Sequence, residues 1–260
     1  MSNKMEESRV ASTNNQRMWP GSVVALLLAA LLGCSPVSQS IVKKAQSGQN
    51  LNTSGLAENR DFRAIPASLP SFDRIMIQSY GEVVQRYSRQ YGLDWRLVLA
   101  VMKAESGFSH DNESEKGATG LMQMMPVTSD EVSRLLDIQD MTHPSNNIRG
   151  GIYYLRKLYG MFAGAEEKDR LELTLASYNA GVGRIYDAQV LAAYLNDNPM
   201  RWEAVKEALP ILSKRYYTLH QHVWEQDRPK IAGWFGNSSE TITYVDRVMG
   251  FYENYRDVLN

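Results

Sequence analysis

Apolar residues recur at helical spacing along most of the chain from residue 71 onward. Glycine, proline or a short polar run separates each apolar stripe from the next, which is typical of successive amphipathic helices. The pattern predicts helices over 72–92 and 95–105, from 128, after Pro144, over 171–178, and through a last stripe formed by Ile242, Val245, Met249, Tyr252 and Leu259. No convincing alternation of apolar and polar residues predicts a strand. We therefore expect an all-α fold.

Several of these helices have recognisable end signals. Ser71 is expected to cap the first helix, which should end at Gly92, and Asp94 is expected to cap the second. The segment Thr128-Ser-Asp-Glu131 fits a capping box for the third helix. The second helix is dense in Leu, Val, Ala and Met, so we expect it to be mostly buried.

The stretch 186–239 gives the least regular pattern. It contains 201–209, which fits a short helix, and then the aromatic and histidine residues Tyr216, Tyr217, His220, His222 and Trp224. The ordinary explanation is that these side chains pack in the interior of the fold, and the alternative is that they shape a binding groove.

The N-terminus resembles a bacterial lipoprotein signal over residues 1–33. Basic residues precede an apolar run from Val23 to Leu32, which is too short to span a bilayer comfortably and is followed by Gly33 and Cys34. The resemblance implies cleavage before Cys34 and lipidation of that cysteine; the alternative is a secretory signal in which Cys34 is incidental. Residues 34–70, rich in Ser, Gln, Asn and Ala, are expected to form a flexible linker, and 71–260 a folded domain.

Composition excludes several classes of function. Of the 260 residues 43% are hydrophobic and 22% charged, as in a globular protein, and a formal net charge of −1 argues against a nucleic-acid-binding surface. Cys34 is the only cysteine, so neither an intrachain disulfide nor a cysteine-based zinc cluster can form. The four histidines lack metal-binding spacing, and we expect no metal and no cofactor.

Glu105 is the carboxylate with the most informative surroundings. It lies at the end of the apolar helix that begins at Trp95, and a glycine-rich run follows at 117–120. Apolar walls disfavour the ionised carboxylate, so its pKa rises and it can donate a proton near neutral pH. Cleavage of a glycosidic bond needs such an acid to protonate the leaving oxygen.

Four segments resemble, in order, the motif series of the lytic transglycosylases with a soluble-lytic-transglycosylase-type domain. They are Glu105-Ser106, 117–125, 176–181 and 240–245, and the resemblance covers roughly Tyr80 to Tyr255. It implies a lysozyme-like helical domain with a substrate groove, and makes 71–260 the catalytic domain. It also implies that Glu105 protonates the bond between N-acetylmuramic acid and N-acetylglucosamine in peptidoglycan. The same side chain, then a base, takes the proton of the C6 hydroxyl as a 1,6-anhydro ring closes.

The resemblance also implies substrate-binding roles for Ser114, Gln123, Met125, Tyr178, Asn179, Glu240 and Tyr244. Ser114 stands where family members carry a serine thought to assist the substrate's acetamido group, although it could simply be a loop serine. Met125 matches a groove position but could be a core residue, as we expect for Met122 and Met124. Glu240 is expected to bind polar groups of the sugar or the peptide stem, and it could also be a favourable charge at a helix start.

Two other functions are compatible with these residues. A goose-type lysozyme-like hydrolase would need a second carboxylate to activate water, and Asp111, Glu113 and Glu115 lie near Glu105 in sequence, in a polar loop of the kind that is more often just solvated. A catalytically silent glycan-binding lipoprotein is the third hypothesis, and the intact motif around Glu105 weighs against it. If the host has an outer membrane, the resemblance implies that Ser35 after Cys34, unlike an aspartate, permits transfer to it, so the expected location is its periplasmic face.

Overall fold

The computed structural model describes residue 62 and residues 64–224 and 231–259, and this part of the chain is helical. Its α-helices are α1 Ser71–Tyr91, α2 Trp95–Ser106, α3 Pro126–Leu136, α4 Pro144–Met161, α5 Glu167–Ala180, α6 Val182–Tyr194, α7 Trp202–Ala208, α8 Tyr217–Val223 and α9 Ser238–Val258. Two 3₁₀ turns, Leu209–Leu212 and Lys214–Tyr216, lie between α7 and α8. The described residues form no strand, only isolated bridges from Thr119 to Glu113 and to Met124. The all-α prediction is confirmed.

Helix α2 lies at the centre of the packing. It is mostly buried, as expected, and the run from Leu97 to Met102 is almost completely shielded from solvent. Helices α1 and α9 pack against it, α9 also packs on α5, and α5 contacts α4 and α6. Since α2, α5 and α9 are far apart in sequence, this packing brings three separate segments of the chain together.

The ends of α1 and α2 follow from local chemistry. Gly92 adopts a left-handed conformation with φ of 70° directly after α1, which confirms the predicted end. The Asp94 side chain accepts a hydrogen bond from the Arg96 N–H at 2.9 Å, which confirms the predicted cap of α2. Gly107, with φ of 58°, ends α2 immediately after the Glu105-Ser106 pair.

Two predicted helix starts were wrong. Ser71 is the first residue of α1 rather than its cap, because Pro70 occupies the capping position. The proposed capping box at Thr128–Glu131 lies inside α3, which begins two residues earlier at Pro126. Proline suits the first helical turn because its φ is already helical and its missing N–H would have no partner there.

The irregular stretch 186–239 contains more helix than its pattern indicates. Helix α7 agrees with the short helix predicted over 201–209, whereas the greater part of α6 and all of α8 had not been predicted. Asp187 of α6 accepts hydrogen bonds from the backbone N–H groups of Ile231 and Ala232, each at 2.9 Å. The segment leading into α9 is therefore fixed to α6.

The folded part begins before the linker boundary that we placed at residue 70. Phe62, Ile65 and Leu69 are buried, and the Phe62 ring meets the Trp95 ring edge-on with centroids 5.4 Å apart. Phe62 also packs so closely on Gly81 that a side chain at that glycine would collide with it. The pattern does not predict the burial of these three residues, because sparse apolar residues in a polar segment give no periodic signal.

The predicted signal peptide, Cys34 and most of the predicted linker lie outside the described residues. Within the described part, no helix has both the length and the apolar character needed to cross a bilayer.

Candidate active site

Glu105 lies one residue before the end of α2, where it is half-buried. The Tyr244 hydroxyl, from α9, donates a hydrogen bond of 2.6 Å to the Glu105 carboxyl oxygen Oε1. The two residues are 139 positions apart in the chain, so the contact depends on the packing of α9 against α2. The first and last segments of the motif series thus meet at one carboxyl group.

The environment of Glu105 favours the protonated carboxyl. Burial raises its pKa from an ordinary value of 4.5 to about 7, even though the Tyr244 hydrogen bond and the positive charge of Arg247 act in the opposite direction. The position near the C-terminal end of α2 also disfavours a negative charge. A carboxyl group with this pKa can hold a proton at neutral pH and give it to a substrate.

Tyr178 reaches the same region from α5, but its hydroxyl is engaged with the backbone. It donates a 2.7 Å hydrogen bond to the Met122 carbonyl oxygen, and its ring packs against that of Tyr154. Burial, with the negative charge of Glu105 as a further cause, raises the pKa of Tyr178 well above its ordinary value, so the phenol stays neutral. Tyr178 therefore ties α5 to the glycine-rich loop beside Glu105.

The glycine-rich loop, residues 117–125, is held by buried polar side chains. Ser106 donates to the Leu121 carbonyl at 3.0 Å, while Asn147 of α4 accepts from the Met122 N–H at 2.8 Å and donates to the Thr119 carbonyl at 3.0 Å. Gly120 has a φ of 78°, and a Cβ there would lie only 2.6 Å from the Asn147 amide. This position needs glycine for both its backbone conformation and its close approach.

Asn147 is a residue that our sequence reasoning missed. It is fully buried in α4 next to Ile148, where the apolar pattern predicts a core-facing position. A polar side chain inside such a stripe is the signal that could have identified it, because a buried amide needs partners.

Gln123 and Met125 occupy the outer part of the glycine-rich loop. Gln123 has a φ of 43°, uncommon for a residue other than glycine, and its side-chain amide donates to the Asn112 and Gly120 carbonyls at 2.9 and 3.0 Å. Met125, directly before α3, is 43% exposed, whereas Met122 and Met124 are buried as expected. Met125 is therefore placed at the surface of the loop and not in the core.

Ser114 is part of the turn that precedes the glycine-rich loop. Its hydroxyl oxygen accepts a hydrogen bond from the Ala118 N–H at 2.9 Å, and its backbone N–H donates to the Ala118 carbonyl at 2.9 Å. The contacts of Ser114 thus stabilise the turn. A contact to the acetamido group of a substrate stays a prediction.

A cavity of about 340 Å³ opens beside Tyr244, lined by Asn179, Ser239, Glu240, Thr243, Tyr244 and Arg247. Asn179 follows Tyr178 on α5, and its side-chain oxygen accepts a 2.8 Å hydrogen bond from the Thr241 hydroxyl. Glu240 lies in the first turn of α9 and accepts a hydrogen bond from the Asn237 side chain. The cavity therefore brings three of the predicted residues, Asn179, Glu240 and Tyr244, together with Arg247, which the sequence reasoning had not singled out.

Residues 82–200 match the family model described as "Transglycosylase SLT domain". This range includes Glu105, Tyr178 and Asn179, whereas Glu240 and Tyr244 lie beyond it.

Two relatives are each described as "Membrane-bound lytic murein transglycosylase F". The protein of Desulfosudis oleivorans is 31% identical over 66% of this chain and 35% of its own length, and that of Cellvibrio japonicus is 30% identical over 67% and 32%. The chain thus spans about a third of the length of the curated relatives it matches.

Solved structures of soluble lytic transglycosylases share the fold. An inactive mutant of the lytic transglycosylase Slt from Pseudomonas aeruginosa aligns with a TM-score of 0.52 and 24% identity, over 92% of this chain and 30% of its own. The 70-kDa soluble lytic transglycosylase of Escherichia coli aligns with a TM-score of 0.50 and 21% identity, over 73% of this chain and 28% of its own. The lysozyme-like helical fold that the motif series implied is thereby confirmed.

Glu105→Gln is expected to be more stable than the wild type at alkaline pH. Because folding raises the pKa of Glu105, the wild type loses stability as the pH rises from about 4.5 to about 7. Glutamine carries no charge, so above pH 7 the variant should have a free energy of unfolding higher by about 1–3 kcal/mol, with no difference below about pH 4.5. Urea denaturation across this pH range measures the effect.

Glu253→Gln, a change at an exposed site of α9, is the matched control and should follow the wild type at every pH. A constant difference between Glu105→Gln and the wild type would mean that burial does not favour the protonated carboxyl.

Proposed function

We propose, because this chain belongs to the SLT-domain family of lytic transglycosylases, that it cleaves the β-1,4 bond between N-acetylmuramic acid and N-acetylglucosamine in peptidoglycan without consuming water. The observation that carries the proposal is the half-buried Glu105 carboxyl, with its pKa near 7, hydrogen-bonded by Tyr244 beside an open cavity. The family match and the names of the relatives support the choice of substrate.

Glu105 acts first as an acid. Its carboxyl proton passes to the glycosidic oxygen while the bond between C1 of the muramoyl sugar and that oxygen breaks. The substrate's own acetamido oxygen can stabilise the positive charge that develops at C1. Tyr244 keeps its hydrogen bond to the carboxyl oxygen and so fixes the direction of the other oxygen.

Glu105 then acts as a base. The carboxylate takes the proton of the C6 hydroxyl while the C6 oxygen bonds to C1, and the 1,6-anhydro ring closes. This restores the starting protonation state of the enzyme, so the reaction is a lyase reaction with no net uptake of water.

The charges around Glu105 favour this reaction over hydrolysis. A hydrolase of the retaining or inverting type needs a second carboxylate near the first one. Among the described residues, Arg247 is the charged side chain that shifts the pKa of Glu105, and it is a cation. The three acidic residues of the 111–115 segment are exposed, which is consistent with solvated loop positions.

The remaining residues of the motif series are assigned to substrate contact and support. Asn179 and Glu240 line the cavity and are suited to polar groups of the sugar or the peptide stem. Gln123 and Met125 lie at the surface of the glycine-rich loop, and Ser114 lies in the turn that precedes it. Tyr178 holds the loop against α5 through its hydrogen bond to the Met122 carbonyl. Membrane attachment through Cys34 places this site near the peptidoglycan.

Glu105→Gln should reduce the release of muropeptides from purified sacculi by at least ~10²-fold, the low end for loss of a general acid. Mass spectrometry of the products made by the wild type should show 1,6-anhydro ends. Products heavier by one water would identify a hydrolase, and absence of turnover by the folded wild type would favour a glycan-binding protein.

Cys34→Ala should abolish membrane attachment. The name of the relatives, membrane-bound transglycosylases, supports an anchor, and several acyl chains on one cysteine would hold the protein firmly because each buried methylene contributes ~0.8 kcal/mol. Fractionation of cells that express the full chain should place the wild type and the control Ser35→Ala in the outer membrane, with an acyl mass on Cys34. Wild-type protein recovered unmodified from the soluble periplasm would refute the anchor.

A further inference from the structure

Helix α9 makes a similar set of side-chain contacts at each of the two ends of α2. In one, Arg247 lies over the Tyr244 ring at 5.9 Å and the Tyr244 hydroxyl donates to Glu105 at 2.6 Å. In the other, Arg256 lies over the Tyr252 ring at 5.6 Å and the Tyr252 hydroxyl donates to Asp94 at 3.0 Å. Each combines an arginine, a tyrosine and a carboxyl group of α2.

The two carboxyl groups differ in their other partners. Asp94 forms a salt bridge of 2.9 Å with Arg96 on its own helix and caps α2. No cation of α2 itself lowers the pKa of Glu105, because the nearby Lys103 donates a hydrogen bond to Asp73 of α1. An arginine of α9 therefore matters more to Glu105 than to Asp94.

Arg247 also contacts the backbone beside the acid. Its Nη2 group donates a 3.3 Å hydrogen bond to the carbonyl oxygen of Ala104, the residue before Glu105. The side chain is exposed and lines the cavity together with Asn179 and Glu240. Arg247 thus joins three parts of the site: the end of α2, the Tyr244 ring and the open cavity.

The groups that face Glu105 can be followed element by element. Helix α5 contributes the neutral phenol of Tyr178, and α9 contributes the phenol of Tyr244 and the guanidinium of Arg247. Asp73 is the acidic residue of α1 that lies beside α2, and its carboxylate accepts hydrogen bonds from Lys103 and Tyr255. Within the described residues, Arg247 is accordingly the charged side chain that acts on Glu105.

We propose that Arg247 is a positioning residue, which holds Tyr244 and the end of α2 in place and stabilises Glu105 in the ionised form that must take up the C6 proton. The inference rests on the proposed function, in which Glu105 is first an acid and then a base. After the first step the carboxylate lies in surroundings that disfavour its charge, and the arginine offsets part of that cost.

The pH dependence of kcat/KM separates this role from simple packing. The value of kcat/KM falls at high pH as Glu105 of the free enzyme loses its proton. The midpoint of this alkaline limb of the pH profile should therefore lie near the Glu105 pKa of about 7 in the wild type. Arg247→Met keeps an apolar stem over Tyr244 but removes the positive charge, so the pKa of Glu105 rises and the limb moves to higher pH. The maximal kcat should also fall, by about 10-fold for about one unit of pKa, because the proton donation that leaves Glu105 charged becomes less favourable.

Two further variants complete the design. Arg247→Lys retains the charge and should keep the alkaline limb close to that of the wild type, with a smaller loss in kcat. Arg256→Met is the matched control, because it makes the same change over Tyr252 at the other end of α2, and should shift neither the limb nor kcat. Thermal unfolding confirms that each variant is folded.

The outcomes distinguish the inference from the proposed function. The role of Arg247 is overturned if the alkaline limb is unchanged in Arg247→Met, or if it is equally shifted in Arg256→Met. The proposed function still stands in that case, provided that Glu105→Gln is inactive. If Glu105→Gln is as active as the wild type, the proposed function itself fails and the inference fails with it.

Discussion

The organisation of this protein depends on one constraint: the Glu105 carboxyl is held half-buried between the end of α2 and α9, which runs along α2. Burial disfavours its charge, and the hydrogen bond from Tyr244 fixes its orientation without supplying a compensating ion. Both effects require α9 to return across the molecule and pack on α2 and α5. The C-terminal helix, which lies beyond the matched family range, is therefore as necessary to the site as the segment that contains Glu105.

A second group of contacts keeps the glycine-rich loop in register with this carboxyl. Ser106, Asn147 and Tyr178 come from three helices and all bond to backbone groups between Thr119 and Met122. Since a buried polar group such as the Asn147 amide is costly when unpaired, these hydrogen bonds favour one conformation of the loop. The uncommon backbone conformation of Gln123 at the outer edge of the loop is then maintained by its surroundings.

Local patterns in the sequence predicted the parts that local physics determines. Most of the helices, the Asp94 cap and the turn at Gly92 were found, because each depends on neighbouring residues, whereas α8 and the greater part of α6 were not predicted. Phe62 and Asn147 were missed because their roles come from contacts with Trp95 and with the loop around Gly120, far away in the chain. The motif series indicated which residues to expect at the site, but not that Tyr244 bonds to Glu105 while Tyr178 bonds to Met122, since only packing distinguishes the two phenols.

The central claim, that burial makes Glu105 a proton donor at neutral pH, is tested most directly by its titration. The ¹³C chemical shift of its side-chain carboxyl, assigned by its absence in Glu105→Gln, can be followed by NMR between about pH 4 and about pH 9. A midpoint near 7 is expected. A midpoint at the ordinary value of 4.5 would mean that the carboxyl is ionised in the resting enzyme and cannot be the acid.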